Sequence, residues 1–438
     1  MKRLVIAALW GVLVLMTLGH GAGIAQTATP ASDRIIVHAG RLLDVSSGRW
    51  LTNQNISIEG DKITRVAPGT ATAEAGWSLV DLGNAAVLPG LIDCHVHLTL
   101  NPSSFGYELL GISEARQTLI GAANARKTLL AGFTTVRNVG AWGFTDVALR
   151  DAVNDGDVIG PRMLVSGMPL SITGGHFDNT MLPWEYHASF ASVADGVDGV
   201  QRKVREEIKY GADLIKFMAS GGVLTKGDDP QAAQYSLEEM KMIVSEAHRL
   251  GRKVAAHAHG SQAILWAAQA GVDSIEHGSF ITDEGIAAMK AHGTYLVPTL
   301  YAGDFLLENT QALHLPPFLA AKAREVLPVA RTNLSRAFRS SVKVAFGTDA
   351  GVYPHGLNSR EFSSMVRSGL SPIAAIQSAT VNAAELLGWS DKIGTLQPGK
   401  WADIVAVDGN PLEDVRTLEV VRFVMKGGKI YKNDYAQK

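Results

Sequence analysis

Histidine and aspartate side chains recur at the ends of several apolar segments of this chain, where they are suited to binding metal ions. His95 and His97 are separated by one residue, and alternation along a strand would place both imidazoles on the same side. A single His-x-His pair is weak evidence, since core and surface histidines often share this spacing. The same residue types recur at later segment ends as His257, His277 and Asp349. This repetition predicts a metal site.

The set of four imidazoles and one carboxylate indicates which ions would bind and how many. Such ligands suit Zn²⁺ or a neighbouring first-row divalent ion. They are too many for one tetrahedral site that keeps an open position for water. Two ions about 3.5–4 Å apart would use all of them, provided that an anion bridged the pair. We therefore expect a binuclear centre, with Zn²⁺ as the preferred metal.

Lys216 lies in the stretch GADLIKFMASGG, which otherwise has the pattern of a buried strand. Burial and two nearby dications would both lower the lysine pKa from about 10.4, so that the neutral amine dominates. A neutral amine can add carbon dioxide to give a carbamate, whose two oxygens can each bind one metal. The alternatives are a lysine paired with a buried acid or one that extends to the rim. Beside the histidines, we expect Lys216 to supply the bridging anion.

Eight apolar segments with the character of strands lie in the middle of the chain, at residues 87–98, 132–140, 162–167, 212–222, 253–260, 272–278, 294–300 and 342–351. Amphipathic helical stretches separate most of them. Residues 236–251, for example, open with the capping box Ser236-x-x-Glu239 and end at Gly251. Eight parallel strands with helical connections predict an α/β fold, a (β/α)8 barrel with functional groups at the C-terminal strand ends. An open doubly wound sheet would favour a glycine-rich phosphate loop, and neither GxGxxG nor GxxxxGK[ST] occurs.

The two ends of the chain have a different texture. Residues 34–66 and 396–431 alternate short β-branched runs with turn residues, which is typical of small antiparallel sheets. We predict one small β domain assembled from residues 33–88 and 395–434, with the barrel at residues 89–394.

Residues 1–25 have the composition of a secretory signal peptide: two basic residues, an apolar core and small residues near a cleavage site. The apolar core is shorter than the roughly 20 residues that span a bilayer, so we expect a secreted or periplasmic protein without a membrane anchor. Cys94 is the only cysteine, which excludes an intramolecular disulfide, and we expect it to be a buried hydrophobe. The 40 basic and 42 acidic side chains nearly balance, so nothing supports a nucleic-acid or anionic-membrane partner.

Five ordered motifs carry a resemblance to a known family: LPGLIDCHVHL, LIKFMASGG, AAHAHG, SIEHG and AFGTDAG. They resemble the amidohydrolase superfamily, in its binuclear subtype with a carboxylated lysine. SITGGHFDN, GGVLTKGDDP and SPIAAIQSATVNAAELLG are similar to the imidazolonepropionase-like branch, which includes Xaa-Pro and Xaa-Arg/Lys dipeptidases and ochratoxinase. The resemblance covers essentially the whole chain after residue 25. It implies a distorted (β/α)8 TIM barrel with a composite β-sandwich.

The resemblance also implies a distribution of ligands. It places His95, His97 and Asp349 on one ion, His257 and His277 on the other, and carboxylated Lys216 between them. True imidazolonepropionases lack the lysine, so that particular activity is not expected.

The implied reaction is hydrolysis of an amide beside a C-terminal amino acid, as in a dipeptidase or carboxypeptidase, with N-acyl amino acids such as ochratoxin A among the substrates. Asp349 would take a proton from the attacking water and deliver it to the leaving nitrogen. A cyclic amidase or lactonase would use the same metals. A non-catalytic exported zinc-binding protein would bind zinc without hydrolysis. The family further implies a symmetric homo-oligomer.

Four other side chains are candidates for contact with a small-molecule or dipeptide substrate: His176, His259, Tyr301 and His355. His176 follows two glycines in a TGGH pattern, and His259 shares a strand face with His257, although a structural role would also fit it. Tyr301 and His355 follow the last two strand segments, where such residues are common without any role. An arginine run on the helix after the seventh segment (Arg324, Arg331, Arg336 and Arg339) predicts a solvated face.

Overall fold

The computed structural model describes residues 34–435 except residues 74, 102, 103, 105, 312 and 314. The predicted leader at residues 1–25 lies outside the described residues. Across the described part of the chain, no helix combines the length and the apolar character needed to cross a membrane.

Strands and helices form a mixed α/β fold. The strands are β1 Arg34–Asp44, β2 Arg49–Glu59, β3 Lys62–Pro68, β4 Ser78–Asp81, β5 Ala86–Pro89, β6 Leu91–Val96, β7 Phe133–Asn138, β8 Arg162–Val165, β9 Leu214–Met218, β10 Lys253–Ala258, β11 Ser274–His277, β12 Tyr295–Val297, β13 Ile404–Val407, β14 Val421–Lys426 and β15 Lys429–Asn433. The helices are α1 Glu114–Leu130, α2 Thr145–Asp155, α3 Gly196–Lys209, α4 Leu237–Arg249, α5 Ser261–Ala270, α6 Asp283–His292, α7 Leu300–Glu308, α8 Pro317–Arg339, α9 Arg360–Arg367, α10 Pro372–Ser378 and α11 Val381–Leu387.

The two ends of the chain build one sheet, as the sequence predicts. Its strand order is β15-β14-β13-β5-β1-β2-β3, with β4 added alongside β1. The C-terminal strand β13 pairs antiparallel with β5, which in turn pairs with β1. In β2 the buried side chains Gln54, Ile56 and Ile58 alternate with more exposed ones, because one face of the sheet packs on a core. The exact domain boundaries and the sandwich remain predictions.

The central strands pair in parallel and in chain order. One sheet contains β6-β7-β8 and the other contains β9 to β12. Single parallel bridges connect these groups at Leu170–Phe217, Leu296–Val344 and Val96–Ala350. Helices lie between consecutive strands, so the arrangement is consistent with the predicted barrel.

The eighth predicted strand, residues 342–351, is wrong in its secondary structure, because this segment pairs only through single bridges at Val344 and Ala350. Steric crowding and backbone conformation account for the difference. A Cβ on Gly347 would lie 2.2 Å from the Val297 side chain, so the segment lies closer to its neighbour than a regular strand with side chains allows. Asp349 has a φ of +58°, which interrupts an extended chain. The parallel placement of the segment is as predicted.

The predicted helix at residues 236–251 is confirmed as α4. The Ser236 side chain accepts from the Glu239 amide, and Glu239 Oε2 accepts from the Ser236 amide at 2.8 Å, which completes the capping box. Met240, Ile243 and Val244 are buried, as the periodicity predicts.

Candidate metal centre

His95, His97 and Asp349 form one group of metal-binding atoms. Asp349 Oδ1 lies 3.3 Å from His95 Nε2 and 3.2 Å from His97 Nε2. His95 lies in β6 and His97 directly after it, whereas Asp349 follows the eighth segment. One ligand atom from each residue lies within 4.8 Å of the others. The predicted His-x-His pair therefore meets the predicted aspartate.

A second group contains His257, His259 and His277, whose ligand atoms also lie within 4.8 Å of one another. Ring centroids are 4.7 Å apart for His257 and His277, and 4.8 Å apart for His259 and His277. His259, which the sequence assigns to substrate, thus also offers a nitrogen that could bind a metal ion together with those of its two neighbours. The two groups adjoin, because the rings of His95 and His277 are 5.0 Å apart.

The protonation states of the second group and of Asp349 suit a divalent cation. Burial lowers the pKa of His257 and His277 well below the usual range and that of His259 to about 3, so these imidazoles are neutral. Burial alone would raise the pKa of Asp349, but His95 and His97 hold it well below its ordinary value. Neutral imidazoles with an ionised carboxylate are the donor set that Zn²⁺ and similar ions prefer. The residues present therefore fit a pair of divalent ions.

Hydrogen bonds to backbone carbonyls fix which nitrogen is available in two of the histidines. His97 Nδ1 lies 3.1 Å from Gly140 O, and His257 Nε2 lies 3.2 Å from Gly221 O. Because a carbonyl only accepts, these two nitrogens carry protons. The lone pairs of His97 Nε2 and His257 Nδ1 are then free for a metal.

A buried ion pair that the sequence analysis missed supports the first group. Glu276 Oε2 lies 2.7 Å from His95 Nδ1, and Glu276 Oε1 accepts from Arg137 at 2.8 Å and from the Ser274 hydroxyl at 2.5 Å. Burial acts to raise the pKa of Glu276, but Arg137 and His95 lower it to about 2. The only sequence signal was one charged residue inside each of two apolar segments, TTVRN and SIEHG.

Asp93 is a second residue that sequence reasoning did not identify. It is fully buried and accepts from the Thr348 hydroxyl at 2.7 Å, from Asn358 at 2.8 Å and from the His95 amide at 3.1 Å. Burial raises its pKa to about 7. Asp93 thereby ties the eighth segment to β6 beside Asp349.

Lys216 lies in β9 and is only 1% exposed. No hydrogen bond or ion pair joins its amine to any residue that the structure describes. Burial lowers its pKa to about 8, against the opposing influence of Glu276 and Asp349. The lysine is thus buried in the lining of the cavity that contains both histidine groups. Neither alternative considered from sequence is observed, because Lys216 forms no ion pair with a buried acid among the described residues and its side chain does not extend to an exposed rim.

Both groups line a cavity of about 630 Å³. Apolar side chains make up much of its wall, including Leu100, Leu109, Trp142, Phe177, Leu224 and Leu306. The rings of Trp142 and Phe177 are stacked with centroids 5.3 Å apart. Arg331, predicted on a solvated face, is 46% exposed but also borders this cavity, where it pairs with Asp304.

His176 lies in the same cavity, where the sequence predicts a substrate contact. Its ring stacks on that of His257 with centroids 4.3 Å apart, and its Nδ1 contacts the Thr225 hydroxyl. Burial lowers the pKa of His176 to about 4. His259 also borders the cavity.

Tyr301 and His355, which the sequence predicts to contact substrate, are not among the residues that line the cavity. The Tyr301 hydroxyl accepts from Arg360 at 2.8 Å, and its ring packs on Tyr353. His355 is buried, with Nδ1 3.1 Å from the Thr128 hydroxyl and Nε2 3.3 Å from His97 O. Both side chains form hydrogen bonds within the protein, and their contact with a substrate stays a prediction. His355 also holds the backbone that carries His97.

Cys94 is confirmed as a buried residue, and burial raises the pKa of its thiol to about 12. A thiol of that pKa is not ionised near neutral pH, which agrees with the expectation that Cys94 is a buried hydrophobe.

Comparison with known proteins supports the same chemistry. Residues 86–431 match the sequence profile of the Amidohydrolase family. Ochratoxinase of Aspergillus niger is 36% identical over 442 residues, covering 95% of this chain and 85% of that protein. Imidazolonepropionase of Pseudomonas putida is 28% identical, covering 75% of this chain and 80% of that protein. A crystal structure of a Xaa-Pro dipeptidase with bound methionine in its active site superposes with a TM-score of 0.86 at 37% identity, covering 92% of this chain and all of that one.

Proposed function

Because the chain belongs to the amidohydrolase family, we propose that it cleaves the amide bond between an acyl group and a C-terminal amino acid, as a dipeptidase or carboxypeptidase. The family and these relatives make the protein a hydrolase of amide bonds. That assignment excludes the non-catalytic zinc-binding protein considered from sequence. Similarity to an ochratoxinase and to a Xaa-Pro dipeptidase supports the proposed dipeptidase or carboxypeptidase activity, since both names refer to the substrates of those proteins.

The observation that carries the proposal is the meeting of two metal-binding groups in the wall of one cavity. The contact between the rings of His95 and His277, at 5.0 Å, joins the groups, and buried Lys216 borders the same space. A structural zinc site is closed by protein ligands, whereas this one opens onto a cavity that can admit a substrate.

We propose that His95, His97 and Asp349 hold one Zn²⁺ and that His257 and His277 hold the other. Bound ions would supply a water of lowered pKa and an electrophile for the substrate carbonyl. Lys216 would complete the site as a carbamate: the neutral amine forms a bond to the carbon of carbon dioxide and releases one proton, which leaves one negative charge on two oxygens. Support comes from the burial of Lys216 and from the lack of a hydrogen bond or ion pair between its amine and any described residue.

In this scheme the protein itself moves the proton. Asp349 is ionised at rest, since His95 and His97 lower its pKa, so its carboxylate can accept the proton of the attacking water. The same oxygen then delivers that proton to the leaving nitrogen, which frees the amino acid. His176 and His259 border the cavity and would donate or accept hydrogen bonds at the substrate amide or carboxylate.

The cavity favours a bulky apolar group on the substrate. Its volume, about 630 Å³, is within the range of sites for drug-sized ligands. The stacked rings of Trp142 and Phe177 offer an aromatic surface to such a group. An N-acyl phenylalanine such as ochratoxin A belongs to this class, as does a dipeptide with apolar side chains. An arginine or lysine side chain would have to lose water where it packs against the apolar part of the wall.

The test is an assay of the zinc-loaded protein on a matched panel: N-acyl phenylalanine, N-acyl proline and N-acyl arginine with the same acyl group, together with a cyclic amide and a lactone. Mass detection of a released amino acid from the apolar substrates supports the proposal. Ring opening without release of an amino acid would identify a cyclic amidase or lactonase instead. No turnover of any acyl amino acid by fully metal-loaded protein would overturn it.

Three further features complete the proposal. The central strands would close as a distorted (β/α)8 barrel at residues 89–394, with a composite β-sandwich from residues 33–88 and 395–434. Residues 1–25 would direct export and be removed, which the mass of the mature protein checks. The protein would form a homo-oligomer without nucleic-acid or membrane partners, and light scattering after gel filtration measures its mass.

A further inference from the structure

Lys322, on α8, makes three hydrogen bonds to the segment of residues 221–228 that follows β9. Its ammonium donates to Gly222 O at 3.0 Å, to Thr225 O at 2.8 Å and to Asp228 Oδ1 at 2.5 Å. A lysine has three donors, so these bonds use its full capacity. Lys322 therefore connects a helix of the cavity wall to one loop through every proton it can donate.

That loop holds two histidines of the site. Gly221 O accepts from His257 Nε2 and so leaves His257 Nδ1 free. The Thr225 hydroxyl contacts His176 Nδ1 and also donates to His176 O at 3.1 Å. The carboxylate of Asp228 lies 3.7 Å from His176 Nδ1.

The loop fits closely against what surrounds it. A Cβ on Gly222 would lie 2.0 Å from the ring of His176, and a Cβ on Gly221 would lie 2.2 Å from Asp229 O. No slack exists between the backbone of this loop and the His176 ring. A shift of the loop toward His176 would therefore displace its ring from the stack on His257, and a shift away would break the contacts of Thr225 with His176.

From these contacts we propose that Lys322 is a positioning residue for the site. It holds residues 221–228 in the conformation that fixes the ring orientation of His257 and keeps His176 stacked on it. Lys322 does not touch the reacting atoms and acts through the backbone of Gly222 and Thr225. The inference rests on the proposed function only for its activity readout.

Apolar packing between the loop and α8 allows the three hydrogen bonds of Lys322 to be removed without unfolding the protein. Val223 of the loop packs with Ala323 and Val326 of α8, and this contact does not involve the ammonium. Replacing Lys322 with methionine keeps most of the apolar stem and removes the three donors. The loop would then stay near the helix but lose its fixed backbone conformation.

The experiment compares Lys322→Met with the wild-type protein in two independent readouts. Lys226 is exposed in the loop, so limited digestion with trypsin followed by mass spectrometry reports cleavage after it. We expect cleavage at this bond to be at least about tenfold faster in Lys322→Met, and kcat for an acyl amino acid that wild-type protein hydrolyses to fall about 10–100-fold with a smaller change in KM.

Matched variants separate positioning from charge and from stability. Arg324→Met removes an exposed cation from the same helix and should match wild type in both readouts. Lys322→Met combined with Asp228→Asn removes the charge imbalance, yet leaves Gly222 O and Thr225 O without their donor, so it should stay impaired. If Lys322→Met does not fold, Lys322→Gln tests the same bonds with a polar side chain and should change in the same direction.

Each outcome of these measurements either supports or overturns the role of Lys322. Faster cleavage after Lys226 together with a lower kcat supports the inference. Wild-type cleavage, a lower melting temperature with unchanged kcat, or full recovery in the double variant would each overturn it. If wild-type protein hydrolyses no acyl amino acid, the proposed function fails, and the rate of cleavage after Lys226 alone still decides the role of Lys322.

Discussion

Glu276 Oε2 lies 2.7 Å from Nδ1 of His95, which directs the other ring nitrogen of His95 toward Asp349, 3.3 Å away. A carboxylate that accepts from a histidine fixes its tautomer and raises its basicity as a metal ligand. Arg137 on the far side of Glu276 keeps that carboxylate charged although it is fully buried. The orientation of the His95 ring in β6 is thus set by residues from β7 and β11.

Glu276→Gln should weaken both metal binding and the fold. The substitution leaves the buried guanidinium of Arg137 without its anion, and breaking such a pair costs about 3–5 kcal/mol in the free energy of unfolding. Loss of the partner of His95 should lower metal affinity about 10–100-fold. Urea unfolding and competitive metal titration measure the two effects.

Ser274→Ala is the matched control for that variant. It removes a hydroxyl that contacts both Arg137 and Glu276 but retains their charges. We expect a loss of about 1 kcal/mol and nearly unchanged metal affinity. Equal effects of the two substitutions would show that the charge of Glu276 is unimportant to the site.

Lys216→Ala should lose metal and activity together, because it removes the residue proposed to supply the bridging anion. Elemental analysis should find less metal per chain than in wild type. Formate or acetate added to the assay should restore part of the rate by replacing the anion. Lys216→Arg is the control, because it keeps a cation but cannot form a carbamate. Formate or acetate should restore no more of the rate in this variant than in Lys216→Ala. Two bound ions and full rate in Lys216→Ala would exclude the proposed role.

Asp349→Asn should retain the fold and reduce kcat about 10²–10⁴-fold, the usual contribution of a positioned proton-transfer group. Asparagine has nearly the same size but does not accept the proton of the attacking water. Circular dichroism should show a native spectrum, and steady-state kinetics gives kcat. More than a tenth of the wild-type rate in metal-loaded variant would contradict proton transfer by Asp349.

The sequence predicted the positions of residue types that recur at strand ends better than it predicted contacts that depend on packing. His95, His97, His257, His277 and Asp349 share a position at strand ends, and the order of parallel strands brings their side chains together. The same periodicity predicted the parallel central strands and the terminal sheet. Such features follow from local pattern and chain order alone.

Other features depend on contacts between residues distant in sequence. Arg137 and Glu276 are separated by 139 positions, so no local pattern reveals that they pair. His355 follows the eighth segment as a substrate-contacting residue would, but its ring points to Thr128 and to the backbone of His97. The prediction of an eighth strand is wrong for a similar reason. The strand propensity of residues 342–351 does not reveal the close approach of Gly347 to Val297.

Trp142→Ala should narrow the substrate range rather than abolish catalysis. The indole borders the cavity and stacks on Phe177, so its removal takes apolar surface from the site. We expect kcat/KM for an acyl amino acid with an aromatic acyl group to fall about tenfold, equivalent to about 1.4 kcal/mol, with little change for the N-acetyl analogue. Trp184→Ala, which removes a tryptophan that is 78% exposed, is the control. Equal losses for both substrates would show that Trp142 does not select the acyl group.

Asp273 should contribute stability that is lost in acid. Burial would raise its pKa, but hydrogen bonds from His248 and Lys253 and from the Val254 amide lower it from 3.8 to about 2. Because the folded-state pKa is below the unfolded one, the stabilisation is complete above about pH 4 and disappears as the pH falls toward 2, a change of about 2 kcal/mol.

The comparison of wild type with Asp273→Asn isolates this contribution from other buried carboxyls, which both proteins share. Wild type should be more stable at pH 7 in urea unfolding, and the difference should shrink steadily between pH 4 and pH 2. Asp157→Asn, at an exposed position, should give no such trend. A difference between wild type and Asp273→Asn that stays constant down to pH 2 would mean that the charge of Asp273 does not stabilise the junction of β10 and β11, because a neutral carboxyl would then serve equally well.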